Sequence, residues 1–333
     1  MRTLIRLLAA LFSVVLFLLI VAYFLPREVQ LERSISIHAP ARVVFNQVND
    51  LYSWDKWSVW NQLDPEMEIT YQNGGIGERA VYSWKSSHPK VGDGKLTITG
   101  SSPYDSIRLK LEFGEESPSE SWFRFSEEDE QTTVVWGFGA DMGMNPIARW
   151  MGLFINRMVG PDFERGLQNL KTVSEIIVQE GRPIVELVTL PAFNYVSLRK
   201  TVSLEDISDE MGQMYGKLTR HIDSHQLMMV DMPYSVYHKI DNGVVDLEAG
   251  IPIDRITEPA GDILAGNREA GNYAQADHIG SYETLGETHE FIQQWITGHH
   301  FTISGGPMEK YLTDPQSEPN PEKWITAIYY PLN

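Results

Sequence analysis

An uncharged apolar segment opens the chain at residues 7–25, with the sequence LLAALFSVVLFLLIVAYFL. About 20 apolar residues in a helix match the hydrocarbon thickness of a bilayer, so the pattern predicts a single transmembrane anchor within residues 1–28. A cleaved signal peptide is the alternative. It is disfavoured because Ala22 is followed by Tyr23, Phe24 and Leu25 rather than by the small residues of a cleavage site.

The charges that flank this segment indicate its orientation in a membrane. Arg2 and Arg6 precede it, so the positive-inside rule favours a cytoplasmic N-terminus and exported soluble domains. Arg27 and Arg33 follow the segment closely and weaken this preference. The sequence therefore predicts a single-pass membrane protein whose orientation is only modestly biased.

Residues 29–180 show strand periodicity first. Residues 29–38 are predicted to form a strand, and Ala39-Pro40-Ala41 opens a short helix. Six segments of alternating apolar residues follow, separated by polar or Gly-rich turns, which is typical of an antiparallel meander with one buried face. Their apolar positions are Met67/Ile69/Tyr71, Ala80/Tyr82/Trp84, Leu96/Ile98, Ile107/Leu109/Leu111/Phe113, Phe123/Phe125 and Val134/Trp136/Phe138.

Helical periodicity follows Asn145-Pro146 and closes this region. The predicted helix carries one recurring apolar face, which is expected to pack on the sheet, and Gly160-Pro161 favours a bend in it. The face consists of Ile147, Trp150, Met151, Phe154, Ile155, Met158, Phe163, Leu167, Leu170 and Ile177.

A sheet that grips a long C-terminal helix resembles the START-like, polyketide-cyclase (SRPBCC) helix-grip family. The best local match is the opening VQLERSISIHAPARVVFNQVNDLYSWDKWSVWNQLDP, with its I-x-A-P turn and its run of Trp54, Trp57 and Trp60. The resemblance covers the whole of residues 29–180 and implies a cavity between sheet and helix that holds a hydrophobic ligand. Activity in that family ranges from binding to cyclisation and hydrolysis, so the fold does not settle the function.

Four aromatic residues are the candidates to face such a cavity. Trp84, Phe113 and Trp136 alternate onto the inner face of the predicted sheet. Phe154 is expected on the helix face opposite them. The alternative is that these rings simply fill a solid core, which is the more common place for large aromatic side chains.

Residues 183–333 form a second predicted domain, which begins after Gly181-Arg182-Pro183 and contains an internal duplication. Asn194-Tyr195 recurs as Asn272-Tyr273, each followed by an amphipathic helix. Pro233-x-x-x-Tyr237 recurs as Pro307-x-x-x-Tyr311. Two strand-helix-strand-strand units of this kind are expected to pair about a pseudo-twofold axis and to leave a cleft between them. The predicted fold class is α+β throughout.

Several motifs make this second region resemble the GyrI-like effector-binding domain, a ligand-sensing module. They are Asn272-Tyr273-Ala274, His278-Ile279-Gly280-Ser281-Tyr282, the helix ending at Trp295, Gly306-Pro307-Met308-Glu309-Lys310-Tyr311 with Asp314-Pro315 after it, and Ile328-Tyr329-Tyr330-Pro331. The resemblance implies an aromatic pocket whose central acidic residue recognises a cationic or polar group on the ligand. Where relatives carry a DNA-binding domain, this chain has an apolar helix and another domain, so a direct role in transcription is not expected.

Glu309 is the candidate for that acidic residue. Alternation along the strand places Glu309 and Tyr311 on one face. A carboxylate in an aromatic pocket is costly unless a cation or hydrogen-bond donors compensate it, so Glu309 is a candidate ligand anchor or general acid/base. The alternative is a solvated residue on an exposed strand face. The expected aromatic walls of the pocket are Tyr195, Tyr237, Tyr282, Trp295 and Tyr311.

Composition narrows the function classes further. The chain has 27 basic and 45 acidic residues and therefore a net charge of -18. The electrostatic field of this negative charge repels a phosphate backbone, so no nucleic-acid partner is expected. It contains no cysteine, which excludes disulfides and thiol chemistry. His221-x-x-x-His225 has metal-ligand spacing but no third ligand nearby, so no metal or cofactor is expected.

Three functional hypotheses remain open. The favoured one is a non-enzymatic, membrane-anchored binder of a small hydrophobic or aromatic ligand with cationic character, for sensing, sequestration or transfer, because every positive signal concerns a pocket. The alternative is a small-molecule hydrolase or cyclase in which Glu309 acts with Tyr311 or Tyr282. The third is an interaction protein whose clefts receive a peptide. The sequence specifies neither the ligand nor any protein partner.

Overall fold

The computed structural model describes residues 2–114, 118–313 and 317–333. The chain divides into two compact units, residues 1–182 and 183–333. The Asp314-Pro315 motif lies outside the described residues.

The first unit is a curled, seven-stranded antiparallel sheet with helices packed on it. Its elements are α1 (Arg2–Phe24), β1 (Glu28–Ile37), α2 (Ala41–Asn49), α3 (Trp54–Trp57), α4 (Val59–Leu63), β2 (Glu68–Gln72), β3 (Val81–Lys85), β4 (Gly94–Ser102), β5 (Ser106–Glu112), β6 (Ser119–Glu128), β7 (Gln131–Asp141), α5 (Pro146–Gly152) and α6 (Ile155–Gln179). The strand order β1-β7-β6-β5-β4-β3-β2 confirms the predicted meander. Strand β1 closes it by pairing with β7.

Helix α1 is long and apolar enough to cross a membrane from Thr3 to Phe24, and its side chains are exposed along nearly all of its length. The same length and composition occur in a signal sequence near an N-terminus. The structure therefore supports a segment that is either a membrane anchor or a signal sequence.

Aromatic rings fill the space between the sheet and α6. Trp136 is 2% exposed and stacks between Phe123 and Phe163, with ring centroids 5.0 and 4.0 Å away. Trp57 meets Trp136 edge to face at 5.7 Å and is fully buried. Trp136 is thus part of a packed core rather than the wall of an open cavity.

The helical segment after Asn145 differs from its prediction. It forms two helices, α5 and α6, which are separated at Leu153 and Phe154. Phe163, Leu167 and Leu170 are buried on the sheet as expected.

The first part of the predicted apolar face is exposed, so the expectation that it packs on the sheet is wrong. Phe154 precedes the first residue of α6 and is 54% exposed, and therefore does not lie opposite Trp136. The physical reason is that α5 packs against the end of α1. Arg149 and Trp150 donate hydrogen bonds to backbone carbonyls of that helix.

The second unit is an eight-stranded antiparallel sheet with two helices on one face. Its elements are β8 (Glu186–Leu190), β9 (Phe193–Ser203), α7 (Ile207–Ser224), β10 (Tyr234–Asp241), β11 (Val244–Ile253), β12 (Leu264–Arg268), β13 (Gly271–Ile279), α8 (Leu285–Gly298), β14 (Met308–Tyr311) and β15 (Ile325–Leu332). The strand order is β12-β9-β11-β10-β14-β15-β13-β8. This palindromic order confirms the predicted duplication, and each repeat gains one extra strand, β8 or β12, which pairs with the other repeat.

The pseudo-twofold axis passes between β10 and β14, where Ser235 pairs with Glu309. Ser235 and Glu309 are also equivalent in the repeat, since each lies two residues after its proline, Pro233 or Pro307. The two residues that are equivalent by sequence thus face each other across the axis.

The helices and outer strands extend this equivalence to other pairs. Ile207 follows Asn194 at the same chain distance as Leu285 follows Asn272, and this equates Met211 with His289. Ser235 pairs with Ala249 and Glu309 with Ile328, so Ile251 in β11 is equivalent to Tyr330 in β15.

Candidate functional site

Glu309 lies beside the twofold axis, on the sheet face that α7 and α8 cover. It is 4% exposed, so the alternative of a solvated carboxylate is wrong. Its Oε1 is 3.0 Å from Nε2 of His289, and its Oε2 accepts a 2.7 Å hydrogen bond from the Tyr311 hydroxyl. Both carboxylate oxygens are therefore hydrogen-bonded within the domain.

A chain of hydrogen bonds leads from α8 to Glu309. Gln293 Nε2 donates to the Tyr330 hydroxyl at 2.7 Å, and that hydroxyl is 2.9 Å from His289 Nδ1. Each donor finds one acceptor if Tyr330 donates to His289 and His289 Nε2–H donates to Glu309. The network is thus complete with a neutral His289 and an ionised Glu309.

The other carboxylate oxygen is bound by one tyrosine hydroxyl, which two further hydroxyls contact. Because Tyr311 donates its proton to Glu309, Tyr237 and Ser235 donate to the Tyr311 oxygen, at 3.0 and 3.2 Å. Burial raises the pKa of Tyr311 well above its usual value, and the nearby Glu309 carboxylate raises it further. Burial and Glu309 also raise the pKa of Tyr237. Both tyrosines therefore stay protonated at neutral pH and remain hydrogen-bond donors.

Glu309 has no arginine or lysine beside it among the described residues, where the basic side chain in contact with it is His289. A carboxylate in such a dry site keeps its charge only through the donors that surround it. The aromatic ring of Tyr282 meets Tyr311 edge to face at 5.5 Å and is 37% exposed, so it lies between this cluster and solvent. The arrangement combines one negative charge with aromatic walls.

Tyr215 of α7 carries a buried hydroxyl group that makes no hydrogen bond of normal geometry among the described residues, although it interacts with Ser235. Its pKa is raised by burial, and the nearby Tyr237 and Glu309 raise it further. A buried hydroxyl that is poorly hydrogen-bonded is costly, so Tyr215 has capacity for a further hydrogen bond on this side of the cluster.

Two of the residues predicted as pocket walls lie elsewhere. Trp295 stacks on His299 with ring centroids 4.1 Å apart and packs in the core between α8 and the sheet. Tyr195 contacts Tyr234, which precedes Ser235 in β10 and therefore points to the opposite face of the sheet from Glu309. The structure brings Glu309, Tyr311, Tyr237 and Tyr282 together.

Sequence reasoning missed His289, Ser235 and Tyr330 as neighbours of Glu309. A signal for His289 was available, because it interrupts the apolar face of α8 between Leu285 and Ile292. Ser235 could have been found from the repeat as the equivalent of Glu309. Nothing in the sequence pattern indicated which side of β15 Tyr330 faces.

Trp84 and Phe113 lie near the open edge of the first unit's sheet. Their ring centroids are 5.9 Å apart, and Phe113 is 37% exposed. The Trp84 indole lies flat on Gly94, where a Cβ atom would come within 2.3 Å of the ring. Among the four candidates predicted in the first unit, Trp84 and Phe113 lie on the inner face and are accessible to solvent.

Comparison with known proteins matches each unit to a family. Residues 28–175 match the model described as polyketide cyclase/dehydrase and lipid transport, and residues 184–333 match the GyrI-like small molecule binding domain. The search of curated proteins finds no match.

Three similar solved structures each cover just under half of this chain. The EcmrR C-terminal domain is 17% identical, with a TM-score of 0.40 over 46% of this chain and 98% of that one. A hydrolase from Listeria innocua is 16% identical, with a TM-score of 0.36 over 48% and 97%. SAV2435, solved bound to tetraphenylphosphonium, is 14% identical, with a TM-score of 0.34 over 45% and 94%. From the two family matches, the chain joins a polyketide-cyclase-type (SRPBCC-like) domain to a GyrI-like small-molecule-binding domain, behind an N-terminal apolar helix.

Proposed function

We propose that this chain is a membrane-anchored protein that binds a small aromatic cation at Glu309 of its GyrI-like domain. The observation that carries the proposal is a buried carboxylate with aromatic rings and neutral donors around it, and with no arginine or lysine partner among the described residues. A cationic ligand would supply the missing countercharge. Tyr237, Tyr282 and Tyr311 would contact its rings and its positive charge.

The first repeat supports a ligand-binding rather than a structural role for the polar cluster. At the positions equivalent to His289, Glu309 and Tyr330 it has Met211, Ser235 and Ile251. That repeat builds the same helix and strands with these residues. The fold therefore does not require the charged network. In the second repeat this network carries the free-energy cost of burying a carboxylate.

The apolar helix α1 supplies the proposed anchor, since its length suits the hydrocarbon core of a bilayer. We propose the orientation that the flanking charges favour, with the N-terminus in the cytoplasm and both domains exported. An amphipathic cation accumulates at the membrane surface. A binding domain anchored by α1 would lie close to that surface and would meet the cation there.

The test is a calorimetric titration of the full chain in lipid nanodiscs with tetraphenylphosphonium, using empty nanodiscs as the blank. Glu309→Gln removes the charge but keeps the shape of the side chain. We expect it to weaken binding by about 10- to 100-fold, which corresponds to the 1.5–3 kcal/mol of an interaction with a charged group.

Glu248→Gln is the matched control. Glu248 is also buried, at 7% exposed, and also pairs with a histidine, His238, at 2.8 Å. It lies on the opposite face of the sheet, because the adjacent Ala249 pairs with Ser235. Binding should stay within about twofold of the unmodified chain, given the small effect expected of a distant charge. An equal loss in both variants, or no loss in Glu309→Gln, would contradict the proposal.

A second candidate function is hydrolysis or cyclisation of a small molecule at the same cluster. The observation that favours it is the contact of one carboxylate with both a histidine and a tyrosine, which can exchange protons with a bound substrate. In this case turnover of an electrophilic substrate would disappear in Glu309→Gln. If the molecule bound tightly and no product formed over many hours, hydrolysis would be contradicted and binding would remain as the function.

A further inference from the structure

We infer that α5 and the first turn of α6 lie on the surface of the lipid bilayer, next to the point where α1 leaves it. The inference rests on the proposed membrane anchorage and adds a second contact between the first unit and the membrane. Its starting point is the helical face that was expected to be buried on the sheet and is exposed instead.

Five exposed apolar side chains form a stripe along this segment. They are Met144, Ile147, Met151, Phe154 and Met158, and each is between 54% and 69% exposed. Ile147 and Met151 lie in α5 and Met158 lies in the first turn of α6, while Met144 precedes α5 and Phe154 lies between the two helices. An exposed apolar side chain therefore recurs every three or four residues along the whole segment. Contiguous apolar surface of this kind is rare on soluble proteins unless another phase or molecule covers it.

Arg149 fixes this segment to the end of α1. Its side chain is buried, and its Nη1 donates a 2.7 Å hydrogen bond to the carbonyl oxygen of Tyr23. Its Nε donates to the carbonyl of Gly143 at 2.8 Å. The last carbonyls of a helix have no partner within the helix and carry partial negative charge, so a guanidinium stabilises them. The middle of α5, from which the stripe extends, is therefore held beside the last turn of α1.

The dimensions of α1 place that last turn at a membrane surface. A helix of 23 residues is about 34 Å long, and the hydrocarbon core is about 30 Å thick. The indole of Trp150 donates to the carbonyl of Leu18 at 3.2 Å, about 9 Å before the end of α1. Tryptophan favours this depth, between the acyl chains and the headgroups.

Lipid is the occupant that these contacts favour. A segment fixed beside the end of a membrane-spanning helix cannot avoid the bilayer surface, and its Met, Ile and Phe side chains suit the acyl boundary. Exposed Arg157 lies beside the stripe and can reach lipid phosphates.

The absence of cysteine from the chain allows a direct test by single-cysteine spin labelling of the full protein in nanodiscs. Labels are placed at Met151 and Phe154 in the stripe, at Phe12 in α1, and at exposed Gln179 at the end of α6. Collisions with oxygen, which dissolves in lipid, are compared with collisions with a water-soluble nickel chelate. We expect the oxygen-to-nickel ratio at Met151 and Phe154 to exceed that at Gln179 several-fold and to approach that at Phe12.

Each other outcome overturns the inference in a distinguishable way. If Phe12 is in lipid while the stripe behaves like Gln179, the anchor stands and the surface contact is wrong. If the stripe is shielded from both reagents, protein covers it, from a second copy or a partner. If Phe12 is also in water, the membrane anchorage itself fails.

Discussion

Trp136→Ala is expected to lower the free energy of unfolding of the first unit by about 3–5 kcal/mol. Trp136 is nearly fully buried between Phe123 and Phe163, and its Nε1 donates a 3.1 Å hydrogen bond to Ser121. Truncation would remove the stack and leave a cavity that the sheet and α6 are too rigid to close. Urea unfolding of the full chain in detergent, followed by near-ultraviolet circular dichroism, measures the loss.

Trp84→Ala is the control for this stability measurement. Trp84 lies half-buried near the edge of the sheet, so its truncation should cost only about 1 kcal/mol. If Trp136→Ala were as mild as Trp84→Ala, the space around Trp136 would be loosely filled. The first unit would then contain a ligand cavity where we describe a packed core.

A triple exchange in the second unit is expected to abolish cation binding and to preserve the fold. His289→Met, Glu309→Ser and Tyr330→Ile together give the second repeat the residues of the first. Replacing a buried charged network by uncharged side chains that suit the site is often neutral or stabilising, and the first repeat already accommodates these three, so the free energy of unfolding should change by less than about 2 kcal/mol. Affinity for tetraphenylphosphonium should fall by at least about 100-fold, because charge and hydrogen bonds are lost together.

Thermal melting and calorimetry on the same triple variant separate the two roles of the cluster. If the variant fails to fold, the polar residues are structural and the comparison with the first repeat is misleading. If it folds and still binds the cation, the site lies elsewhere in the chain.

Much of the fold could be predicted because apolar periodicity reports local geometry directly. The meander, its closing helix and the duplication of the second unit are confirmed, and the duplication predicted the palindromic sheet. The face of α5 was assigned wrongly because periodicity shows that a face is apolar but not what covers it. Here the neighbour is the end of α1, through Arg149, and no pattern along the chain indicates that contact.

The candidate site was only partly predictable for a related reason. Alternation placed Glu309 with Tyr311 correctly, since both lie on one strand. Tyr195 was wrongly placed with them because its side depends on how β9, β11 and β10 are aligned, which no single strand encodes. His289 joins the cluster from α8 only once the packing of that helix on the sheet is fixed.

The central claim, that a cation binds against Glu309, is tested most directly by a crystal structure of the full chain with tetraphenylphosphonium. We expect phenyl rings packed on Tyr237 and Tyr311, with the phosphorus centre facing the Glu309 carboxylate at about 6 Å or less. A cation bound beside Glu248 on the other face of the sheet, or among the aromatic rings of the first unit, would contradict it.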